Sequence, residues 1–282
     1  MKVLVTGASG LIGSAVSDAL RARGDAPVAL TRGGRDSGDV SWDPERGELD
    51  PRVFDGVDAV VHLAGQGIAD HRWTADQKRK IAESRIRGTT LLTSTLAGLP
   101  TPPRVLVSGS AIGYYGNRGD EELTEDSGPG GGFLAGVVAQ WEHAATPAEA
   151  AGIRTVRIRT GIVLARHGGV LASLITPFKL GLGGRTGSGE QWMSWIALAD
   201  EVGAILHAID HEHVSGALNL TAPSPATNRD FTRALGRALH RPAVLPTPLV
   251  PLKLRYGDEL VRELLLFSQR VRSTGARNTK FQ

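Results

Sequence analysis

The 282-residue sequence contains no cysteine, which removes disulfides, thiolate metal sites and cysteine nucleophiles together. That suits a reducing compartment, and a cytoplasmic location is expected. Tyrosine is scarce: only Tyr114, Tyr115 and Tyr256 occur. The lysines are Lys2, Lys78, Lys80, Lys179, Lys253 and Lys280, so nowhere does a tyrosine precede a lysine by four positions. No apolar run reaches the roughly 18 residues of a membrane span, and "MKVLVTG" leads directly into a strand pattern without a signal peptide. No membrane partner is expected. Basic residues are dispersed and the formal net charge is only +3, so the clustered stripe that binds nucleic acid is missing. No histidine has a second ligand at metal-site spacing: His62 reads as a packed strand-end residue and "HEH" at 211–213 as a surface turn.

Glycine, in contrast, is abundant, at 36 residues. The β-branched run "KVLVT" predicts a buried parallel strand. "GASGLIG" follows, and Leu11, Ile12, Ala15, Val16, Ala19 and Leu20 then recur at helical spacing up to a stop at Gly24. A strand, a glycine turn and a helix form the setting of a dinucleotide fingerprint. Gly7 permits the turn, Gly10 lets the backbone approach a pyrophosphate, and Gly13 allows close packing of helix on strand. Ser9, Leu11 and Ile12 bring backbone N–H groups to the helix start, where the dipole favours phosphate. The second strand, "PVALTR", ends at Thr31 and Arg32, where an NAD site carries an acid. A charge-assisted bond from Arg32 to a 2′-phosphate, worth about 1.5–3 kcal/mol, would select NADP(H). "RVLVSGSAIGYYG" predicts a later strand whose Ser108 and Ser110 are expected to face the crevice beyond the strand ends.

Beyond these elements, the motifs "VTGASGLIG", "SWDPERGELD", "VVHLAGQGIADHRWT", "IAESRIRGTTLL", "SGSAIGYYG", "RIRTGIVLARHGG", "PFKLGLGG", "GSGEQWMSWI", "NLTAPSPATN" and "RPAVLPTP" run along nearly the whole chain. Together they resemble the atypical extended short-chain dehydrogenase/reductases, the NAD-dependent epimerase/dehydratases of the "cell division inhibitor SulA-like" epimerase family. The resemblance implies an α/β fold: a Rossmann-type doubly wound parallel sheet over residues 1–160, with later segments able to return to it, and a smaller α/β C-terminal lobe over 161–282. It implies NADP(H) as cofactor, with Leu63, Ala64 and Gly65 passing its adenosine side and Arg85 of "ESR" approaching it. It also implies a nicotinamide-bordering loop at Arg159, Thr160 and Gly161, and a possible homodimer.

The wider superfamily carries Tyr-x-x-x-Lys, often with a glutamate four residues later. Alignment on Glu142 puts Leu134 and Val138 at those two places, and neither transfers a proton. General acid–base help is typically worth about 10²- to 10⁴-fold, so turnover would need another group. The candidates are Ser108, as hydrogen-bond donor to a substrate oxygen, and Tyr114 or Tyr115; the alternative for both tyrosines is packing beneath the loop. A second departure is Ala197, where many extended relatives have histidine. The loop "PFKLGLGGRTGSGEQ", with Lys179, Arg185 and Gln191, reads either as a flap over the pocket or as a solvated loop. "DELVRELLLF" predicts an amphipathic helix with Leu260, Val261, Leu264 and Leu265 on its apolar face. The ending "ARNTKFQ" is shorter than in relatives. The expected function is an NADP(H)-binding oxidoreductase or epimerase acting on an unknown small molecule; the alternative is a non-catalytic NADP(H)-binding sensor or regulator.

Overall fold

The computed structural model describes residues 1–33 and 40–274. The ending at 276–282 lies outside them. In the first half the elements are β1 (Lys2–Thr6), α1 (Leu11–Ala22), β2 (Ala26–Thr31), β3 (Val40–Ser41), β4 (Ala59–His62), α2 (Ala75–Ala97), β5 (Val105–Ala111), β6 (Glu122–Leu123), α3 (Phe133–His143), α4 (Thr146–Ala150) and β7 (Arg154–Thr160). There follow β8 (Ile162–Leu164), α5 (Gly169–Lys179), β9 (Trp192–Met193), β10 (Trp195–Ala197), α6 (Leu198–Asp210), β11 (Gly216–Leu220), β12 (Ala226–Thr227), α7 (Asn228–Ala238), α8 (Leu249–Tyr256), α9 (Asp258–Val261) and β13 (Arg270–Val271).

Seven parallel strands form the central sheet in the order β11-β7-β5-β4-β1-β2-β3. From β1 the chain moves outward to β2 and β3, then crosses to β4 and moves outward the other way. This reversal opens a crevice beyond the carboxyl ends of β1 and β4, where doubly wound sheets bind ligands. Both faces of the sheet are covered, which explains why its strands are apolar runs rather than alternating ones. Val3, Val5, Val61, Val107 and Ile158 pack with Val16 and Leu20 of α1 and Ile205 and Ile209 of α6. Leu4, Val60 and Leu106 face the other way, onto Leu92 and Leu96 of α2 and Ala148 of α4. The chain comes back to the sheet after residue 160, since α6 and β11 complete one layer and one edge.

The rest of the second half builds a smaller lobe. There β9 pairs with β12 antiparallel, and β13 runs parallel to β6 of the first half. The amphipathic helix expected at 258–267 is broken: α9 ends at Val261 and a π turn spans Arg262–Leu266. Leu260 and Val261 are buried as expected, but Leu265 is exposed. The physical reason is Glu263, whose carboxylate turns inward and accepts the backbone N–H groups of Phe133 (2.8 Å) and Leu134 (2.9 Å). It thereby satisfies the open N-terminus of α3, which Gly132 leaves without a side-chain cap. Among the described residues no helix is long and apolar enough to cross a membrane.

Candidate functional site

The crevice is floored by the turn between β1 and α1. Gly7 has φ +69°, and a Cβ there would stand 2.8 Å from the backbone C and O of Leu63. The N–H of Gly10 donates to the Gly7 carbonyl at 2.9 Å and closes the turn. A Cβ on Gly13 would lie only 2.2 Å from the Gly7 oxygen, so the helix sits against the turn with no room for a side chain. No side chain caps α1, and Ser9 and Gly10 are exposed. The first N–H groups of the helix therefore remain open toward the crevice, with the positive end of the dipole behind them.

The next wall is set by His62, buried at the end of β4. Thr6 Oγ1 lies 2.8 Å from His62 Nδ1 and accepts the N–H groups of Leu63 and Ala64, both at 3.1 Å. With two donors on its oxygen, the Thr6 hydroxyl gives its proton to Nδ1. Nε2 is then the protonated nitrogen and donates to Thr89 Oγ1 at 2.9 Å, which also receives Trp141 Nε1–H at 2.9 Å. Burial pulls the His62 pKa down to about 4, so the ring stays neutral. His62 is thus a structural pin between β1, α2 and α3 that fixes the Leu63-Ala64-Gly65 backbone.

At the adenosine side, Thr31 is half-buried and its hydroxyl has no partner among the described residues. Arg32 is exposed at the end of β2. Arg85 reaches from α2 to Gly65 and Gln66: its Nη1 donates to the carbonyls of Gln66 (2.9 Å) and Ile81 (3.1 Å), and its guanidinium lies 5.2 Å from the Trp141 ring.

The place of the missing proton-transfer pair is apolar. Leu134 and Val138 face Gly113, whose added Cβ would meet them at 3.7 and 3.8 Å. The structure buries two of the candidate replacements. Ser108 does not face the crevice. Strand alternation puts it on the same side as Leu106 and Ser110, under the helices, in register with His62 and Arg157, where it is buried and its hydroxyl has no partner among the described residues. Tyr115 is fully buried. Its hydroxyl lies 2.7 Å from Asn219 Oδ1 and 2.9 Å from the Thr124 carbonyl and accepts from Arg159 Nη1 at 2.9 Å. Burial raises its pKa above the ordinary tyrosine value, against the pull of Arg159. Tyr114 is half-buried, with Arg159 Cζ 3.7 Å from its ring centre.

Over residues 3–220 the sequence matches the NAD dependent epimerase/dehydratase family. Epimerase family protein Mb2239 of Mycobacterium bovis is 43% identical over 283 residues, covering 99% of this chain and 92% of its own. Human epimerase family protein SDR39U1 is 38% identical over 284 residues, covering 98% and 94%. The crystal structure of human SDR39U1 (isoform2) with NADPH has a TM-score of 0.91 at 35% identity, covering 100% of this chain and 94% of that one. The chain belongs to the NAD dependent epimerase/dehydratase family. The narrower SulA-like label has no counterpart in these names.

Within this family frame, pairings among buried polar groups that the sequence does not show stand out. Arg159 and Glu142 form a buried two-pronged ion pair, Nε–Oε1 at 2.8 Å and Nη2–Oε2 at 2.9 Å, and Ser110 Oγ donates to Oε1 at 2.6 Å. Burial opposes the Arg159 charge, but Glu142 outweighs it and keeps the guanidinium charged. The glutamate of the superfamily pattern is therefore present but tied to a partner 17 residues away. Glu201 in the first turn of α6 is fully buried, and its Oε1 accepts from Thr160 Oγ1 at 2.7 Å. Burial pushes its pKa up to about 8, so it carries a proton at neutral pH. Neither the Arg159–Glu142 pairing nor the burial of Glu201 is visible in a single sequence.

Proposed function

We propose that the crevice binds NADP(H) and that the protein is an oxidoreductase or epimerase acting on a small molecule. The observation that carries this reading is the uncapped start of α1, pressed onto a turn in which a Cβ on Gly13 would strike the Gly7 carbonyl. That cradle fits a pyrophosphate: Gly7, Ser9, Gly10, Leu11, Ile12 and Gly13 would hold it through backbone N–H groups. Leu63, Ala64 and Gly65 would flank the adenosine, and Thr31 and Arg32 would meet a 2′-phosphate. The human relative with NADPH supports the choice of phosphorylated cofactor. When bound, NADP(H) supplies a hydride donor or acceptor. The chain's own contribution is to position it and to exclude water at the apolar face of Leu134 and Val138.

Calorimetry with NADPH and NADH tests the reading. Tighter NADPH binding is expected, with Arg32→Ala weakening it about 10- to 100-fold and leaving NADH nearly unchanged. Equal affinities in the unaltered protein would remove Arg32 from the phosphate. A second reading, a non-catalytic NADP(H) sensor, is favoured by one observation: Ser108, Tyr115, Glu142 and Arg159 are all buried in the packing. Tyr114 remains the tyrosine of the strand-end pair with a partly open ring. A screen of carbonyl compounds and nucleotide sugars by NADPH absorbance separates the two, and Tyr114→Phe then reports whether that hydroxyl takes part.

A further inference from the structure

The apolar side chains that the fold leaves in water are gathered rather than scattered. Among the described residues, the large ones more than half exposed are Leu180, Leu182, Val244, Leu245, Val250 and Leu254, from 54% to 78%. They come from two segments that touch. Arg241 Nε donates to the Lys179 carbonyl at 3.0 Å. Thr247 donates its N–H to the Arg185 carbonyl at 2.8 Å and its hydroxyl to the Gly184 carbonyl at 3.0 Å. A Cβ on Gly184 would strike the Leu245 carbonyl, so the two segments lie against each other. Leu180 and Leu182 therefore stand beside Val244 and Leu245. Just past Thr247, α8 begins; none of its side chains is buried, and Val250 and Leu254 share one of its faces. A gathered apolar patch of this kind marks a surface that meets a protein or a membrane.

The charge around the patch is of one sign. Residues 150–189 and 231–257 contain no aspartate or glutamate, in a chain that has 29. On α7, Arg229, Arg233 and Arg237 recur every four residues, and Arg241 follows. Acids at the start of the helix serve the first two: Arg229 pairs with Glu190, and Arg233 lies 3.8 Å from Asp230. Arg233, Arg237, His240, Arg241 and Val244 then line a shallow groove of about 550 Å³. Lys179 is exposed across the contact and lies 62 positions from Arg241 in sequence, which is why these cations read as dispersed. Like charges four apart on a helix repel, and a negative surface relieves them. Nucleic acid would use the cations but not exposed leucine and valine, and no aromatic side chain stands exposed in these segments for a base to stack on. A lipid leaflet with acidic headgroups uses both, because apolar tips enter the headgroup boundary while the cations stay at its surface. The lack of a spanning run excludes passage through a bilayer, not attachment to one leaflet.

We infer that this face docks on an anionic lipid surface, with Leu180, Leu182, Val244 and Leu245 entering the leaflet and Lys179, Arg237 and Arg241 meeting its headgroups. The inference is independent of the cofactor reading. The test is co-sedimentation of the full chain with vesicles of equal parts phosphatidylserine and phosphatidylcholine, and with vesicles of phosphatidylcholine alone. Binding to the mixed vesicles is expected, at least about 10-fold weaker on phosphatidylcholine and in high salt. Leu182→Ser with Val244→Ser should weaken it at least about 10-fold through lost apolar burial. Lys179→Gln with Arg237→Gln should weaken it by a similar factor through lost charge. Arg52→Gln, an exposed position outside the face, should leave it unchanged. All these positions are at the surface, so the variants should keep the parent's melting temperature. The chain has no cysteine, so Val244→Cys carries a single environment-sensitive label, whose emission should shift to the blue on the mixed vesicles. Absence of vesicle binding, equal binding in the double serine variant, or unchanged emission of the label overturns the inference. A dimer in sedimentation velocity that the double serine variant dissolves, with vesicles left unbound, overturns it and gives the face to a second copy. Polyglutamate bound while vesicles are not, and lost in Lys179→Gln with Arg237→Gln, overturns it in favour of an acidic protein segment.

Discussion

Two buried side chains set opposing demands on the proton. Folded Glu201 keeps its proton to about pH 8, whereas an exposed glutamate loses it near 4.5. Folding therefore takes up a proton between those values, and stability falls as pH rises through the window. His62 acts in the other direction. The unfolded chain protonates it below 6.5 and the folded chain only near 4, so stability falls as pH drops between them. Each slope is about 1.4 kcal/mol per pH unit at most, so the two cancel between pH 4.5 and 6.5 and Glu201 acts alone above that. Glu201→Gln should abolish a loss of about 2 kcal/mol between pH 6.5 and 8, measured by urea unfolding at a series of pH values. A variant as pH-sensitive as the parent would show that Glu201 is ionised in the fold. Neither residue could be read this way from sequence. His62 was legible as a packed strand-end histidine, but its burial depends on Thr89 and Trp141, 27 and 79 positions away along the chain.

At the level of elements, legibility followed how local the cause is. β1, its turn and α1 were readable because strand pattern, glycine spacing and helical period lie within 24 consecutive residues. That no tyrosine precedes a lysine by four positions was readable for the same reason. The direction of Ser108 was not, because strand period alone does not say which face a neighbouring helix covers. The break after α9 was hidden because its cause, the cap given by Glu263 to α3, lies 130 residues away. One consequence belongs to α1. Gly13→Ala adds a single methyl group 2.2 Å from the Gly7 oxygen, so helix and turn must separate. Overpacking of this kind costs about 1–3 kcal/mol, and NADPH binding should be lost while a cooperative circular-dichroism melt survives. Normal NADPH titration in that variant would place the phosphates elsewhere.

Across the whole molecule, the segment around β13 ties the second half to the first. Ser268 donates to the Gly119 carbonyl and to Asn117, Gln269 reaches the Ile112 carbonyl, and Asn219 donates to the Arg272 carbonyl. Ser194 sits at the centre, donating to the Gln269 carbonyl at 2.8 Å and accepting Val271 N–H at 2.9 Å. Ser194→Ala leaves both groups buried without their partner and should cost about 1–3 kcal/mol in urea unfolding. A change below about 0.5 kcal/mol would mean that the seam contributes little. No short-range pattern announces these bonds, which is why the packing of the last lobe was not legible. The sheet itself has a related property. Its edge at β7 is covered only when β11 pairs with it, from Gly216 to Leu220. On the ribosome, a nascent chain that has delivered Arg154–Thr160 must extrude about 60 more residues before that row of backbone donors and acceptors finds its partner. An elongation pause in that interval leaves a strand edge open to other chains, so the yield of correctly folded protein should depend on how quickly this stretch is translated.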